Sequence, residues 1–287
     1  MMMMPTEQYA VFGHPISHSK SPRIHTLFAE QTRQNLDYTA WDVPADRFSE
    51  ELRRFAAAGG KGLSCTVPLK ELAWQIADNK SVQAERAKAV NTLSIGSDGD
   101  LYGDNTDGVG LVRDLTQNLG IPITGCEILL LGAGGASRGI LEPLLALQPD
   151  RLVIANRTLV KAEKLADEFS DLGSIQALGY DLLTGNRFNL ILNATSASLH
   201  GRLPPLPEGI LAPLGYCYDL AYVSQPTAFV EWGERRGAKL STDGIGMLVE
   251  QASEAFFIWR GVHPQTVPVI ERLNAERGRG AKNRQGF

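Results

Sequence analysis

One glycine-rich turn between two apolar runs limits the folds open to this chain more than any other feature. Cys126–Leu131 is a mostly apolar run typical of a buried strand, Gly132–Ser137 is the turn, and Arg151–Ala155 is a second strand-like run after a helical stretch. Glycines at a turn of this kind let the backbone approach a pyrophosphate, while the following helix presents free N–H groups. The order predicts a βαβ unit that binds a dinucleotide; a glycine-rich turn without a ligand is the alternative.

The residues after the second strand of this unit indicate which dinucleotide it binds. An enzyme that uses NAD places Asp or Glu here to bind the ribose 2′-hydroxyl. This chain instead has Asn156, Arg157 and Thr158, followed one turn later by Lys161. Two cations and a hydroxyl suit a dianionic 2′-phosphate, which favours NADP; a solvated arginine at a helix start is the alternative.

Length, charge and cysteine usage exclude several classes of protein. A chain of 287 residues, 43% of them apolar, is long enough for about two domains, and its longest apolar runs, such as Ala255–Trp259, are far shorter than a membrane span. Residues 277–287 hold four basic residues and no acid, so the remaining chain has a formal charge of −8 and is a poor partner for nucleic acid. Three scattered cysteines, and a Met1–Met4 run unlike a signal peptide, indicate a cytoplasmic protein. His14 and His18 have no nearby cysteine ligands, so no metal site is expected.

Strand-like and helix-like segments alternate along nearly the whole chain, which predicts an α/β fold. Ser21 is predicted to cap the first long helix, with Pro22 at its first position. Thr106 is predicted to cap another helix that runs to Leu119. The basic, glycine-containing segment 277–287 is predicted to be disordered.

Polar residues near three predicted helix starts form a candidate substrate site. Ser17–Ser21 surrounds one helix start with hydroxyls, Lys70 follows Pro68 at a second, and Asp107 stands just before a third. A lysine and an aspartate brought together can exchange a proton with a substrate hydroxyl. Taken alone, the serines are better explained as a capped helix and the two charged residues as surface and cap positions.

Nine short motifs occur in a fixed order along the chain. They are Ala10–Gly13, His18–Pro22, Thr66–Lys70, Ala89–Thr92, Gly103–Gly108, Gly132–Ser137, Asn156–Thr158, Asn193–Ser196 and Asp243–Met247. Together they resemble the shikimate dehydrogenase family over about residues 9–275, and several of them are long enough to be specific.

The resemblance implies a two-domain α/β fold. A substrate domain would comprise residues 1–106 and 242–287, completed by C-terminal helices, with a Rossmann-type NADP-binding domain inserted at 107–241 and the active site in the cleft between. It also implies reversible, NADPH-dependent reduction of 3-dehydroshikimate to shikimate, in the shikimate pathway of aromatic amino-acid biosynthesis. The implied partners are this small molecule and NADP, with neither nucleic acid nor membrane, for a protein that is a monomer or a homodimer.

The resemblance also assigns roles to individual residues. Lys70 is implied as the acid/base residue, paired with Asp107, and the division of work between them stays open. The implied substrate contacts are Ser19, Ser21 and Tyr222 for the carboxylate, and Thr66, Lys70, Asn91, Asp107 and Gln251 for the ring hydroxyls. The implied NADP contacts are Gly132, Ala133, Gly134, Gly135 and Ala136 for the pyrophosphate, Asn156, Arg157, Thr158 and Lys161 for the 2′-phosphate, and Thr195, Leu220, Gly244 and Met247 for the ribose and nicotinamide.

Three positions depart from the usual pattern of this family. Ser64 stands where Asn is usual, Ser198 where glycine is usual, and Lys161 where Arg is frequent. None of these removes a proposed catalytic group, so they bear on rate and affinity. Two other functions stay open: a quinate/shikimate dehydrogenase or a paralogue acting on a related cyclitol acid, and a non-catalytic NADP-binding regulator. The presence of both Lys70 and Asp107 argues against the regulator.

Overall fold

The structure is a computed structural model that describes residues 6–278. Its described residues divide into two compact units, the first made of residues 6–110 with 249–269 and the second of 111–248 with 270–278. The predicted disorder of the basic C-terminal segment concerns mainly residues 279–287, which lie outside the described residues. Which ligand each unit holds stays a prediction at this point.

The first unit contains a mixed sheet of six strands in the order β2-β1-β3-β5-β6-β4. Its elements are β1 (Glu7–Gly13), α1 (Ser21–Thr32), β2 (Leu36–Asp42), α2 (Phe48–Ala57), β3 (Gly60–Cys65), α3 (Lys70–Ile76), β4 (Asn79–Lys80), α4 (Val82–Ala87), β5 (Thr92–Ile95) and β6 (Leu101–Asp104). Strand β1 runs parallel to β2 and β3, so the loops after β1 and β3 leave the sheet at the same edge. Strands β5 and β6 pair antiparallel and form a hairpin.

The second unit contains a parallel sheet of six strands in the order β12-β11-β10-β7-β8-β9. Its elements are β7 (Glu127–Leu131), α6 (Gly135–Leu145), β8 (Arg151–Ala155), α7 (Leu159–Glu168), β9 (Ile175–Leu178), β10 (Phe188–Asn193), β11 (Leu211–Asp219), α8 (Ala228–Arg235) and β12 (Leu240–Asp243). Ile128 and Leu130 pack into one core, and Leu129 and Leu131 into another. Because both faces of β7 are buried from Ile128 to Leu131, these four residues are all apolar. The predicted βαβ unit and α/β fold class are confirmed.

Three further helices complete the chain: α5 (Asp107–Arg113), α9 (Ile245–Arg260) and α10 (Val267–Glu276). The helix predicted from Thr106 to Leu119 is present over Asp107–Asn118, but its second half, Asp114–Asn118, is a π-helical turn. The carboxylate of Asp114 is buried in this turn and accepts a hydrogen bond from the Tyr218 hydroxyl over 2.7 Å. Such turns are frequent at functional sites. Within residues 6–278, every helix is too short or too polar to cross a membrane.

Two local predictions need correction. Ser21 is the first residue of α1 and not its cap; the Ser19 hydroxyl accepts a hydrogen bond from the Ser21 N–H over 3.3 Å instead. Arg277 was assigned to the disordered segment, yet its side chain is 3% exposed and pairs with the carboxylate of Asp243. A buried partner therefore orders the chain at this residue, whatever its local composition.

His25, on α1, is buried in an aromatic cluster of the first unit. Its ring stacks on that of Tyr38 at a centroid distance of 4.0 Å and also contacts Phe28, Phe256 and Trp259. Neither ring nitrogen has a hydrogen-bond partner among the described residues. Burial in this apolar surrounding lowers the pKa of His25 from 6.5 to about 3. The folded protein therefore keeps this ring neutral.

We expect His25 to make the protein less stable in acid. Below pH 6.5 the unfolded chain protonates this histidine while the folded chain does not, until pH approaches 3. The free energy of unfolding therefore falls across that window, by about 1.4 kcal/mol for each unit of pKa difference. Chemical denaturation measured at several pH values checks this. His25→Phe, which keeps a stacked ring, should flatten the decline, and the exposed His18→Gln should leave it unchanged; an equally steep decline in His25→Phe would contradict the assignment.

Candidate active site

Lys70 and Asp107 meet in the first unit, in the pairing that the resemblance implies. Lys70 is the first residue of α3 and Asp107 the first of α5, and the Lys70 Nζ donates to the Asp107 Oδ2 over 2.5 Å. Their side chains are 23% and 10% exposed, so the pair is shielded but still within reach of a small molecule. An ammonium and a carboxylate in this geometry can hold and pass one proton.

Asn91 fixes the position of the Asp107 carboxylate. The Asn91 side-chain amide donates to the Asp107 Oδ1 over 2.8 Å, while its carbonyl oxygen accepts from the Thr106 N–H over 2.9 Å. The same amide lies 3.4 Å from the Gln251 Oε1. Gln251 comes close because α5 has Gly110 at this point, where a Cβ atom would clash with the Gln251 backbone. Four of the five side chains predicted to bind the ring hydroxyls thus form one connected network, made of Lys70, Asn91, Asp107 and Gln251.

The predicted anion-binding serines lie where the loop after β1 enters α1: Ser19 is in the loop and Ser21 is the first residue of the helix. Ser21 is buried and Ser19 is partly buried. The loop after β3 runs beside this one, since the His14 N–H donates to the Val67 carbonyl over 2.9 Å. Thr66 is partly buried there, and its methyl group fills the space beside Gly13. The parallel pairing of β1 and β3 therefore gathers these hydroxyls at one edge of the sheet.

Cys65 and Ser64, the two residues before Thr66, have structural partners. Cys65 is 2% exposed, and burial raises the pKa of its thiol, so it is a core residue and not a nucleophile. The Ser64 hydroxyl accepts a hydrogen bond from the Tyr38 hydroxyl over 2.8 Å. Its remaining proton can be donated to another group. The departure from asparagine at this position thus leaves a single hydroxyl donor.

The glycine turn after β7 has the features that a pyrophosphate requires. Gly132 has a φ of +106°, which other residues rarely adopt. An added Cβ at Gly134 or Gly135 would meet no atom within 4 Å, so the space above the turn is open. No side chain caps the start of α6, which leaves its first N–H groups available. Ser137 takes the last position of the motif, where its buried hydroxyl donates to the Gly132 carbonyl over 2.8 Å.

The basic residues after β8 are exposed and close to the turn that begins α7. Arg157, Thr158 and Lys161 are all exposed, and Asn156 donates from its amide to the Thr158 carbonyl over 2.9 Å. Neither Arg157 nor Lys161 forms an ion pair with another residue of the described chain. Both cations are therefore available to an anionic ligand. Their positions suit the 2′-phosphate of NADP.

The loop after β10 is held by a buried polar network around Asp219. The Asn193 amide donates to the Asp219 Oδ1 over 3.1 Å and to the Ser198 Oγ over 2.9 Å. Thr227 donates to the other carboxylate oxygen over 2.7 Å. Burial raises the pKa of Asp219, which these donors and the Ser198 hydroxyl partly offset. Ser198, a departure from the usual glycine, thus has a bonding role, and Thr195 lies within the same loop.

The segment Asp243–Met247 passes close to the end of β11. Gly244 lies against the Leu220 carbonyl and Gly246 against the Asp114 carboxylate, and a Cβ atom at either glycine would clash. The Met247 N–H donates to the Tyr218 hydroxyl over 3.3 Å. Sequence reasoning missed Asp114, Tyr218 and Arg277 at this place, because no local motif marks them. Leu220 and Gly244 lie in contact, and the role of these two residues and of Met247 in binding the cofactor stays a prediction.

Tyr222 lies in the second unit, in the loop after β11. It is partly buried, and burial raises the pKa of its hydroxyl to about 12. The hydroxyl therefore keeps its proton at neutral pH and can donate to a carboxylate. Within residues 6–278, no three His, Cys, Asp or Glu side chains are grouped so as to hold a metal ion.

Comparison with known families matches three parts of the chain. Residues 11–93 match the shikimate dehydrogenase substrate binding domain, residues 114–200 match shikimate / quinate 5-dehydrogenase, and residues 244–273 match the shikimate 5'-dehydrogenase C-terminal domain. These segments contain the Lys70 side of the ion pair, the glycine turn and the Gly244–Met247 segment.

Individual proteins are similar over nearly the whole chain. The shikimate dehydrogenase (NADP(+)) of Methylococcus capsulatus is 63% identical, with 96% of this chain and 99% of that protein covered. The crystal structure of an Ael1 enzyme from Pseudomonas putida is 45% identical with a TM-score of 0.87, over 93% of this chain and 98% of that one. The shikimate 5-dehydrogenase of Thermus thermophilus, solved in complex with NADP(H) and shikimate, is 33% identical with a TM-score of 0.84, over 94% and 99% of the two chains.

Proposed function

This chain belongs to the shikimate dehydrogenase family, and we propose that its Lys70–Asp107 pair exchanges the proton of the family reaction. The protein is an NADP-dependent oxidoreductase that acts on a CH–OH group and interconverts 3-dehydroshikimate and shikimate in aromatic amino-acid biosynthesis. The observation that carries the proposal is the 2.5 Å contact between the Lys70 Nζ and the Asp107 Oδ2. The pair lies in the same unit as the protein hydroxyls that are proposed to bind the substrate.

NADP is the cofactor, and residues of the second unit suit its pyrophosphate, its 2′-phosphate and its nicotinamide. The open turn at Gly134 and Gly135 and the uncapped start of α6 suit the pyrophosphate. Arg157 and Lys161, exposed and without ion pairs among the described residues, suit the 2′-phosphate. Leu220 and the Gly244–Met247 segment are proposed to hold the nicotinamide. When bound, the nicotinamide supplies the acceptor or donor of a hydride.

Besides the hydride, the reaction transfers the proton of the reacting hydroxyl, and the protein must accept or donate it. In the oxidation of shikimate, the hydroxyl proton passes to the Lys70–Asp107 pair as the hydride leaves the carbinol carbon. In the reduction of 3-dehydroshikimate, the pair returns that proton to the oxygen that becomes the hydroxyl. Asn91 holds the Asp107 carboxylate through its 2.8 Å hydrogen bond, so that the carboxylate faces Lys70. Both directions therefore use the same two side chains.

Ser19 and Ser21 of the first unit are proposed to bind the substrate carboxylate, and Tyr222 of the second unit is proposed as a further contact of that group. Each presents a hydroxyl, and the high pKa of Tyr222 keeps its proton available for donation. Thr66, Asn91 and Gln251 are proposed to bind the ring hydroxyls. The proposed contacts therefore supply hydrogen-bond donors for the carboxylate of the substrate, and donors and acceptors for its ring hydroxyls.

Removing both serine hydroxyls should weaken substrate binding without changing cofactor use. We expect Ser19→Ala/Ser21→Ala to raise KM for shikimate by about tenfold or more, since a hydrogen bond to a charged group contributes about 1.5–3 kcal/mol. KM for NADP should stay within about twofold of wild type, because its proposed contacts lie elsewhere. Thr26→Ala is the matched control, because that hydroxyl on α1 bonds only to the Pro22 carbonyl in its own helix. Equal rises in both KM values would mean that the change had damaged the fold.

We propose that the protein acts in the cytoplasm as a monomer or homodimer. Three cysteines, none in a disulfide, support a reducing compartment. The acidic body of the chain supports the absence of a nucleic-acid partner. Sedimentation at several protein concentrations would measure the oligomeric state, and a tetramer would contradict the proposal.

The substrate is tested by measuring NADP reduction with shikimate and with quinate in parallel. We expect a clear preference for shikimate in kcat/KM. A preference for quinate would mean that the pocket accepts the additional ring hydroxyl of that acid. Tight NADP binding without reduction by either acid would show a binding protein and would contradict the proposed function.

A further inference from the structure

Arg277, the residue that follows α10, is a buried cation in the second unit. Its side chain is 3% exposed and that of Asp243 is 2% exposed. The Arg277 Nη1 donates to the Asp243 Oδ2 over 2.7 Å, and the Nη2 lies 3.3 Å from the Oδ1 of the same carboxylate. The pairing is therefore two-pronged, a geometry that arginine forms and lysine cannot.

The same guanidinium also reaches a second loop. Its Nη1 donates to the Val223 carbonyl over 3.0 Å, and its Nη2 donates to the Asn274 side chain over 2.5 Å. Val223 lies in the loop after β11, directly after Tyr222. Asp243 ends β12, and its Oδ1 accepts the Ile245 N–H at the start of α9 over 3.4 Å. One side chain thus ties together the loops that follow the two last strands of the parallel sheet.

A buried ion pair needs a reason beyond stability. Removing two charges from water costs several kcal/mol per ion, so well-packed apolar residues would stabilise such a place at least as well. A guanidinium, however, fixes the distances and angles of all its partners at once. The loop after β11 and the Asp243–Met247 segment, which it joins, hold the residues proposed to meet the nicotinamide and the substrate carboxylate, namely Leu220, Tyr222, Gly244 and Met247.

We propose that Arg277 is a positioning residue, which fixes the loop after β11 and the Asp243–Met247 segment in the arrangement that hydride transfer requires. This inference rests on the proposed function of those loops. Arg277 touches neither substrate nor cofactor in this proposal. It acts through Asp243 and the Val223 carbonyl, and a misplacement of about 1 Å at a reacting centre can lower a rate by ~10²-fold.

The test is Arg277→Gln in the full-length protein, with Arg272→Gln as the matched control. Arg272 lies on the same helix, α10, but its side chain is 62% exposed and pairs only with Glu276, one turn away. We measure kcat for shikimate oxidation per folded molecule, the dissociation constant for NADP, and the deuterium isotope effect on kcat with shikimate labelled at the reacting carbon. The last two readouts separate positioning from loss of stability.

For Arg277→Gln we expect kcat to fall by about tenfold or more and the isotope effect to rise, because a misplaced nicotinamide slows hydride transfer. The dissociation constant for NADP should change by less than about threefold, because the pyrophosphate and 2′-phosphate are bound by other loops. Arg272→Gln should behave as wild type. Arg277→Lys, which keeps the charge but not the fork, should give an intermediate kcat.

The inference is overturned if Arg277→Gln retains the wild-type kcat and isotope effect per folded molecule, even if it melts at a lower temperature. Should Arg277→Gln not fold because Asp243 loses the guanidinium, Arg277→Lys decides by the same two readouts. A wild-type protein that does not reduce NADP with shikimate would instead contradict the proposed function. The two failures are therefore distinguishable.

Discussion

Replacing Lys70 with alanine should lower kcat by ~10²–10⁴, the contribution that a positioned acid/base group usually makes. The alanine leaves the Asp107 carboxylate without its partner at 2.5 Å, so the substrate hydroxyl loses the pair that exchanges its proton. KM for shikimate should rise much less, because Asn91, Thr66 and Gln251 still bind the ring. Initial rates of NADP reduction at varied shikimate concentration measure both constants.

Lys61→Ala is the control for this experiment. Lys61 is an exposed lysine on β3 of the same unit, so it matches the change in charge without touching the network. It should keep the wild-type kcat. A near-wild-type kcat in Lys70→Ala would show that another group moves the proton, and the chemistry assigned here to the pair would be wrong.

The second large effect concerns the cofactor. Arg157→Asp should reduce kcat/KM with NADP by about 10²-fold or more, while activity with NAD stays similar or improves. NADP differs from NAD by one phosphate with a charge close to −2 at neutral pH, and a charge-assisted hydrogen bond contributes about 1.5–3 kcal/mol. The aspartate removes the attraction and adds repulsion. Measurements with both cofactors at one fixed ionic strength check this, because exposed ion pairs weaken with salt.

Two variants of α7 accompany Arg157→Asp: one tests the second cation, and the other controls for the change in net charge. Lys161→Ala should shift the preference in the same direction but more weakly, since a flexible ammonium holds a phosphate as a point charge. Lys164→Asp reverses a charge on an exposed residue of the same helix and should leave the preference unchanged. If Arg157→Asp keeps the preference for NADP, or the wild-type protein prefers NAD, the assignment of Asn156–Lys161 fails.

The sequence was sufficient for features in which local pattern and burial agree. The run Ile128–Leu131 is apolar throughout because both faces of β7 are buried, and such a run before a glycine turn predicts a parallel strand. The approach of Lys70 to Asp107 could not be predicted from local pattern. These residues are 37 positions apart, and spacing alone favoured surface and cap positions, so only the resemblance to a family paired them.

The rest depends on contacts that no local pattern encodes. Ser21 has the residue type of a cap, but the chain enters α1 one residue earlier and the Ser19 hydroxyl accepts the N–H. The π-helical turn at Asp114 coincides with a hydrogen bond from Tyr218, 104 residues away. Arg277 stands beside a glycine in a basic segment, and only its distant partner Asp243 explains its burial.

Isotopic labelling tests most directly whether hydride passes from shikimate to NADP. Wild-type protein is incubated with NADP and shikimate that carries deuterium at the carbinol carbon, and the reduced cofactor is analysed by mass spectrometry. We expect the reduced cofactor to carry the deuterium and 3-dehydroshikimate to form in equal amount. Reduced cofactor without deuterium, or no reduction at all, would contradict this hydride transfer.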